Sequence, residues 1–374
     1  VRIGLVRMRY TPFGGAEVFL KRFISKLLDR GHKIDVFSSS WEEEKGVTVH
    51  KIDAGGPSFL RPLRFATNVA REVGRVRPDI TLSLERTFSQ EIYRAGDGCH
   101  REWLIQRGRR SGALKRASLA FSPKHKVLLA LEERLFKSPG LKAVVANSNR
   151  VKDEIIRHYG LPAEKICVIY NGIDVASFEP DDAERVRLRK SFGADEETVV
   201  CLFTGSGFER KGLSAAIRAL ALLKDKGDRR LVVIGKGSVS PYLEEAKKLG
   251  VSDRVVFMGP VEGASRYCLA GDIFVLPTIY EPFSNACLEA MAAGLPVVTT
   301  RANGASEILI DGESGGIVED PDNHEEVAAK IEPFLDKSSR LTAGRLARAE
   351  ALKHPMERTV GEFLDLIEGL KDAR

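Results

Sequence analysis

The sequence contains no run of about 18 apolar residues, so no segment reads as a membrane-spanning helix. Its opening stretch, VRIGLVRM, reads as a strand and not as a charged-then-apolar leader. Cysteine is sparse: Cys99, Cys167, Cys201, Cys268 and Cys287 are scattered, odd in number and form no Cys-x-x-Cys. That pattern excludes a disulfide framework and a zinc site, and it predicts reduced thiols in a cytoplasmic protein. No Gly-x-Gly-x-x-Gly follows the first strand, which disfavours a nicotinamide or flavin dinucleotide. No Asp-x-Asp lies in a loop suited to phosphate, so no metal and no cofactor is expected. Short-period repeats and low-complexity segments are also missing.

Charge is present but uneven. The chain of 374 residues carries a net +6, with +14 in residues 1–170 and −8 in the remainder. Only the first half should favour anionic surfaces or substrates. Within it, segment 101–129 concentrates Arg101, Arg107, Arg109, Arg110, Lys115, Arg116, Lys124 and Lys126 against Glu102, with Trp103 and Phe121 interleaved. No nucleic-acid-binding module is recognisable, so nucleic acid is not expected as a partner. A peripheral contact with an anionic membrane surface is expected instead.

Strand-like and helix-like patterns alternate twice over. RIGLVRM, KIDVFSS, VTVHKI, DITLSL and LKAVVANS read as strands, with helical stretches near 62–77, 120–138 and 148–159. The helix after the first strand follows from the spacing of Ala16, Phe19, Leu20, Phe23, Ile24, Leu27 and Leu28, with Gly31 as its stop. After YNGID, a turn at residues 170–174, a second series begins: TVVCLFTG, RRLVVIG, RVVFMG, DIFVLP and PVVTT, with helices near 211–225, 241–249 and 284–293. The pattern predicts two α/β domains with parallel sheets, 1–170 and 171–355, followed by an amphipathic C-terminal helix at 356–374. Ligands of such sheets bind beyond the carboxyl ends of the strands.

Three post-strand loops stand out. Gly14 and Gly15 open the first helix, where free N–H groups and close backbone approach suit a phosphate. Gly205 and Gly207 precede Arg210 and Lys211, read as standing at the next helix start, where cations oppose the dipole unless a polyanion binds. The third is YEPFSNACLEAMAAGLPVV, residues 280–298. Pro282 holds Glu281 extended and outside the helix, while Phe283, Ser284, Asn285 and Ala286 supply helix-start N–H groups. Glu289 falls about 7 Å further along the axis. A carboxylate accepts hydrogen bonds, so the two acids are expected to hold hydroxyls on either side of a phosphate.

These motifs resemble the retaining glycosyltransferases of family 4. Glu281 and Glu289 match that family's glutamate–seven–glutamate pattern, and Gly14–Gly15, ERKG at 209–212, YNGID and GLPVVTT follow in order. The N-terminal half is most similar to the lipopolysaccharide core glucosyltransferase I group, through RYTPFGGAE, RGHKIDVFSSSW and AGDGCHREW. The resemblance implies a GT-B architecture, two Rossmann-like doubly wound domains facing across a cleft, with the acceptor on the first, the nucleotide sugar on the second, and the C-terminal helix 356–374 packing back toward the first. It implies that Gly14 and Gly15 contact the donor diphosphate and that Arg210 and Lys211 neutralise it. It gives the donor ribose to Glu289 and sugar hydroxyls to Glu281. Asp97 matches an acid that faces the sugar or acceptor, and His100 is a weaker candidate for the acceptor. Glu17 stands where the closest group often has Gln. The activity implied is metal-independent transfer of a hexose, glucose from UDP-glucose, to a lipopolysaccharide core or similar lipid-linked saccharide. It would run at the inner face of the cytoplasmic membrane. A front-face and a covalent route to retention both remain open. Another nucleotide sugar, or a nucleotide-sugar epimerase or hydrolase, is the alternative reading. Loss of Glu289 is expected to weaken nucleotide binding, and loss of Glu281 to spare UDP affinity but reduce transfer.

Overall fold

A computed structural model describes residues 1–9, 15–42, 44–223 and 227–372. The chain divides into two units. Unit 1 comprises Val1–Tyr170 with Met356–Arg374, and unit 2 comprises Asn171–Pro355.

Unit 1 is built on strands β1 (Arg2–Val6), β2 (Lys33–Ser38), β3 (Val47–Lys51), β4 (Ile80–Ser83), β5 (Ile92–Ala95), β6 (Ala143–Ala146) and β7 (Ile166–Val168). All run parallel, in the order β3-β2-β1-β4-β5-β6-β7. Its helices are α1 (Gly15–Asp29), α2 (Arg61–Val76), α3 (His100–Arg109), α4 (Ala113–Phe121), α5 (Pro123–Phe136) and α6 (Asn149–Tyr159). Unit 2 carries β8 (Val199–Thr204), β9 (Arg229–Ile234), β10 (Val255–Gly259), β11 (Ile273–Leu276), β12 (Val297–Thr300) and β13 (Gly315–Val318), parallel in the order β10-β9-β8-β11-β12-β13. Its helices are α7 (Asp182–Ser191), α8 (Phe208–Lys211), α9 (Leu213–Leu222), α10 (Ser240–Lys248), α11 (Asn285–Ala292), α12 (His324–Ile331) and α13 (Lys337–Ala351). The last helix, α14 (Met356–Asp372), belongs to unit 1.

In both sheets the order of strand addition reverses once, between β1 and β4 and between β8 and β11. At such a reversal successive loops leave on opposite sides and open a crevice at the carboxyl edge. In unit 2 the flanking loops are 205–207 and 277–284, which contain the glycine–cation motif and Glu281.

The return of α14 follows from its apolar stripe. Met356, Val360, Phe363, Leu364 and Ile367 are buried against Phe19, Phe23, Ile24 and Leu27 of α1 and the strands beneath. The Phe363 ring sits 5.0 Å from that of Phe19 and 5.8 Å from that of Phe23. Arg22–Glu357 at 2.7 Å and Arg30–Glu368 at 2.9 Å edge the contact, as exposed pairs that add little.

Three strands are additional to the sequence expectation. The strand β5, IYRA, is fully buried although it contains Arg94, whose guanidinium lies 4.7 Å from the centre of the Phe19 ring. In β13, Gly315 and Gly316 mask the apolar signal. A Cβ on Gly315 would meet the Val297 carbonyl oxygen at 2.1 Å, so only glycine allows β12 to approach. The third is β7, a short run of three residues. The single helix expected near 120–138 and the charged segment before it become three helices, α3, α4 and α5.

Candidate functional site

In unit 2, Gly205 and Gly207 turn the chain sharply out of β8, with φ of 158° and 77°. Gly205 also lies where a Cβ would press on the Lys211 side chain at 3.3 Å. Arg210 and Lys211 close the short helix α8; they do not open the next one. Gly212, at φ 76°, then starts α9 against the Pro277 carbonyl. This corrects the expected placement of the two cations. A second correction concerns their partners. Arg210 Nη1 and Lys211 Nζ both donate to Oε2 of Glu281, each at 2.5 Å. The Lys211 and Glu281 side chains are only 10% and 13% exposed. Burial alone would raise the Glu281 carboxyl, but Lys211 and Arg210 outweigh it and hold it below the ordinary value.

Glu281 stands outside α11, in an extended segment bridged to Asn303. Its N–H donates to the Ala302 carbonyl at 3.0 Å, and its own carbonyl accepts from Gly304 at 2.9 Å. Ser284 caps α11, its Oγ accepting from the Cys287 N–H at 3.3 Å. The Ser284 N–H, expected to be free, instead donates to Asn303 Oδ1 at 3.1 Å. Asn303 is fully buried and also donates to Thr299 Oγ1 at 3.0 Å, so it clamps the loop to β12. Sequence reasoning passed over it, although Asn303-Gly304 is a turn signal. Asn171, read only as turn chemistry, donates to Asn285 Oδ1 at 2.7 Å and joins the same helix start. Phe283 is buried beside it.

Glu289 lies within α11, and among the described residues no donor or cation reaches its carboxylate. Burial pushes its carboxyl up to about 7.

At the carboxyl edge of the unit 1 sheet, Asp97 occupies the exposed turn after β5. It does not cap α3, whose N-cap residue is Cys99. Glu85, just beyond β4, was not singled out from sequence. Its Oε1 accepts from the Met8 N–H at 3.1 Å and from Arg7 at 3.4 Å. Burial raises its carboxyl, with Arg7 opposing and Asp97 adding to the rise. His100 is turned inward, contrary to an acceptor-facing role. Its ring is buried and shares a hydrogen bond of 3.1 Å with His125, and burial lowers it to about 4. Gly15 opens α1, whereas Gly14 and the Glu17 side chain lie outside the described residues. All five cysteines are free. Among the described residues no cluster of three or more His, Cys, Asp or Glu could hold a metal, and no helix is long and apolar enough to cross a membrane.

The family model for Glycosyltransferase Family 4 matches residues 13–177, and that for Glycosyl transferases group 1 matches residues 184–349. A D-inositol 3-phosphate glycosyltransferase of Geodermatophilus obscurus is 31% identical over 389 residues, covering 94% of this chain and 84% of its own. The chain belongs to the family 4 glycosyltransferases. The lipopolysaccharide glucosyltransferase WaaG of Escherichia coli is 26% identical over 353 residues, covering 92% of this chain and 91% of its own. A crystal structure of WaaG matches with a TM-score of 0.83 at 24% identity, covering 98% of this chain and 100% of the other. A structure of Anabaena HepE in complex with UDP-glucose matches with a TM-score of 0.76 at 20% identity, covering 98% and 99%. These glycosyltransferases share the GT-B fold of two Rossmann-like α/β domains.

Proposed function

We propose that this glycosyltransferase moves glucose from UDP-glucose, with retention of configuration, onto a lipid-linked saccharide of the lipopolysaccharide-core kind. The observation that carries the donor reading is the crevice beside β8 and β11. A buried Lys211, a half-buried Arg210 and the capped start of α11 meet there, with the Glu289 carboxylate, partnerless among the described residues, on the same helix. Arg210, Lys211 and the helix start receive the charge that builds on the departing diphosphate, which is the main electrostatic task of sugar transfer. The chain supplies that counter-charge itself, so the reaction runs without a bound metal. Glu289 takes the ribose diol and Glu281 the hydroxyls of the sugar. Asp97, exposed on unit 1, addresses the acceptor. The likeness to WaaG supports a lipopolysaccharide acceptor, and the HepE complex supports UDP-glucose.

The decisive assay presents equal concentrations of several nucleotide sugars with a lipid-core extract, with and without EDTA. UDP-glucose should give the largest thermal shift, since stabilisation follows RT ln(1 + [L]/Kd). It should yield an α-linked product, remain intact without acceptor, and turn over equally in EDTA. A larger shift from another sugar would change the donor; consumption without acceptor would point to an epimerase or hydrolase.

The acceptor reading extends to the membrane. The basic segment forms α3, α4 and the start of α5, and none of the α4 residues is buried. Leu114 and Phe121 are 90% and 74% exposed beside Lys115, Arg116, Lys124 and Lys126. Apolar side chains flanked by cations suit an anionic bilayer surface, at about 1 kcal/mol per basic residue near it. On this basis the enzyme works at the inner face of the cytoplasmic membrane. Co-sedimentation with phosphatidylglycerol vesicles should exceed that with phosphatidylcholine and fall with salt. The Leu114→Glu, Phe121→Glu double variant should reduce it about tenfold or more. Salt-insensitive binding, equal on both lipids, would end this reading.

A further inference from the structure

The sharing of one carboxylate oxygen by both cations has a consequence for which ligands unit 2 retains. Arg210 and Lys211 converge on Oε2 of Glu281, and among the described residues no donor reaches Oε1. The arrangement is held firmly from both sides. The backbone of Glu281 is tied to Ala302 and Gly304. Arg210 Nη1 is steered by the Tyr280 carbonyl at 3.2 Å, and the Arg210 carbonyl accepts from Ile279 N–H and Thr278 Oγ1 at 2.9 and 2.8 Å. The backbone on both sides is therefore fixed, and the carboxylate itself is held by the two cations alone.

We infer that Glu281 acts as a built-in competitor for the phosphate-binding cations and so makes unit 2 select an intact nucleotide sugar over the free nucleoside diphosphate. The inference rests on the donor reading above and deepens it. An incoming diphosphate needs Arg210 and Lys211. It must either take them from Glu281 or sit beside that carboxylate as a like charge. Both options leave a largely buried carboxylate poorly compensated, which is costly. A ligand that also carries sugar hydroxyls returns the lost hydrogen bonds by donating to Glu281. A nucleoside diphosphate, pyrophosphate or phosphate cannot. The penalty therefore falls on ligands that lack the sugar. After transfer the sugar departs, the carboxylate is left without donors, and it reclaims both cations as the diphosphate dissociates. Glu281 thus contributes to product release as well as to donor selection.

The test is calorimetric titration of the full chain and its Glu281→Gln variant with UDP, pyrophosphate and UDP-glucose. Glutamine keeps the size and the hydrogen-bonding reach but removes the competing charge. UDP and pyrophosphate should bind about tenfold more tightly or better to the variant. UDP-glucose should gain less or lose, so the preference for the intact donor collapses. Equal factors for UDP and UDP-glucose, or weaker UDP binding, would overturn the inference. Pyrophosphate makes this arm independent of the nucleotide. If the wild type binds no UDP ligand the donor reading fails, and a pyrophosphate gain in the variant still supports the competition. Should Glu281→Gln fold poorly, Glu281→Asp, which draws the charge back by one methylene, should shift pyrophosphate in the same direction; no shift there would count against it.

Discussion

Replacing Glu289 by glutamine is expected to stabilise the protein above pH 7 while weakening UDP-glucose binding about a hundredfold. Both effects come from one carboxyl. It is half-buried on α11 with no donor among the described residues, and desolvation raises it from 4.5 to about 7. The folded state therefore keeps a proton that the unfolded chain releases. Stability attributable to this group is highest below pH 4.5, declines as pH rises, and is lowest above pH 7. The gap corresponds to about 3 kcal/mol at high pH. Glutamine removes that cost, so the thermal midpoint at pH 8 should rise by roughly 4 °C, with little change at pH 5. Binding runs in the opposite sense. Hydroxyls donating to a carboxylate favour its ionised form, each bond to charge contributing about 1.5–3 kcal/mol. Wild-type affinity for UDP-glucose should therefore fall towards tenfold per unit as pH drops below 7. The diphosphate diester of this ligand has no proton titrating there. In Glu289→Gln the affinity should be low and flat. Calorimetry at pH 6, 7 and 8 with thermal melts at pH 5 and 8 checks both halves. A wild-type affinity that does not vary with pH would remove Glu289 from the ribose.

Such coupling between stability and binding is only half legible in the sequence. Local grammar was readable: Pro282 does hold Glu281 outside the helix, and the alternation of strands and helices does give two parallel sheets. The position of the motifs at the carboxyl edge followed from those signals. Pairing did not, because it joins residues far apart in the chain. Glu281 meets Arg210 and Lys211 across about seventy residues, and Asn171 reaches Asn285 across 114. Reading each motif separately gave the cations to a phosphate and the acid to a sugar, and it missed that they hold one another. The expectation that losing Glu281 would spare UDP affinity depended on that separation. With the three groups joined, tighter UDP binding is expected instead. Burial was also hidden at His100, where a histidine in a Gly-flanked motif looks exposed but packs on His125. In segment 101–129 the eight cations obscured helices whose exposed faces carry them.

The ion triad yields the second large effect. Lys211→Met is expected to cost about 2–4 kcal/mol of stability and to lower turnover by about 10²–10³. Lys211 is buried and bonded to a carboxylate that is itself largely enclosed. Removing one cation leaves that charge on Arg210 alone, whose side chain is 33% exposed and correspondingly screened. The double variant Lys211→Met, Glu281→Gln should recover most of the lost stability, because no buried charge is then left short of a partner. A double-mutant cycle on the two positions should therefore show strong coupling in the unfolding free energy. Turnover should not recover, since the departing diphosphate still lacks one of its two cations and the sugar lacks its carboxylate. The separation of the two readouts is the informative feature. A purely structural lysine would let the double variant regain the rate of Glu281→Gln alone as soon as the fold was repaired. One that receives charge in the transition state leaves a stable protein that remains slow. Chemical denaturation and single-turnover rates on the wild type, both single variants and the double variant decide between them. Parallel recovery of rate and stability would assign Lys211 to the scaffold and leave Arg210 with the helix start of α11 as the anion site.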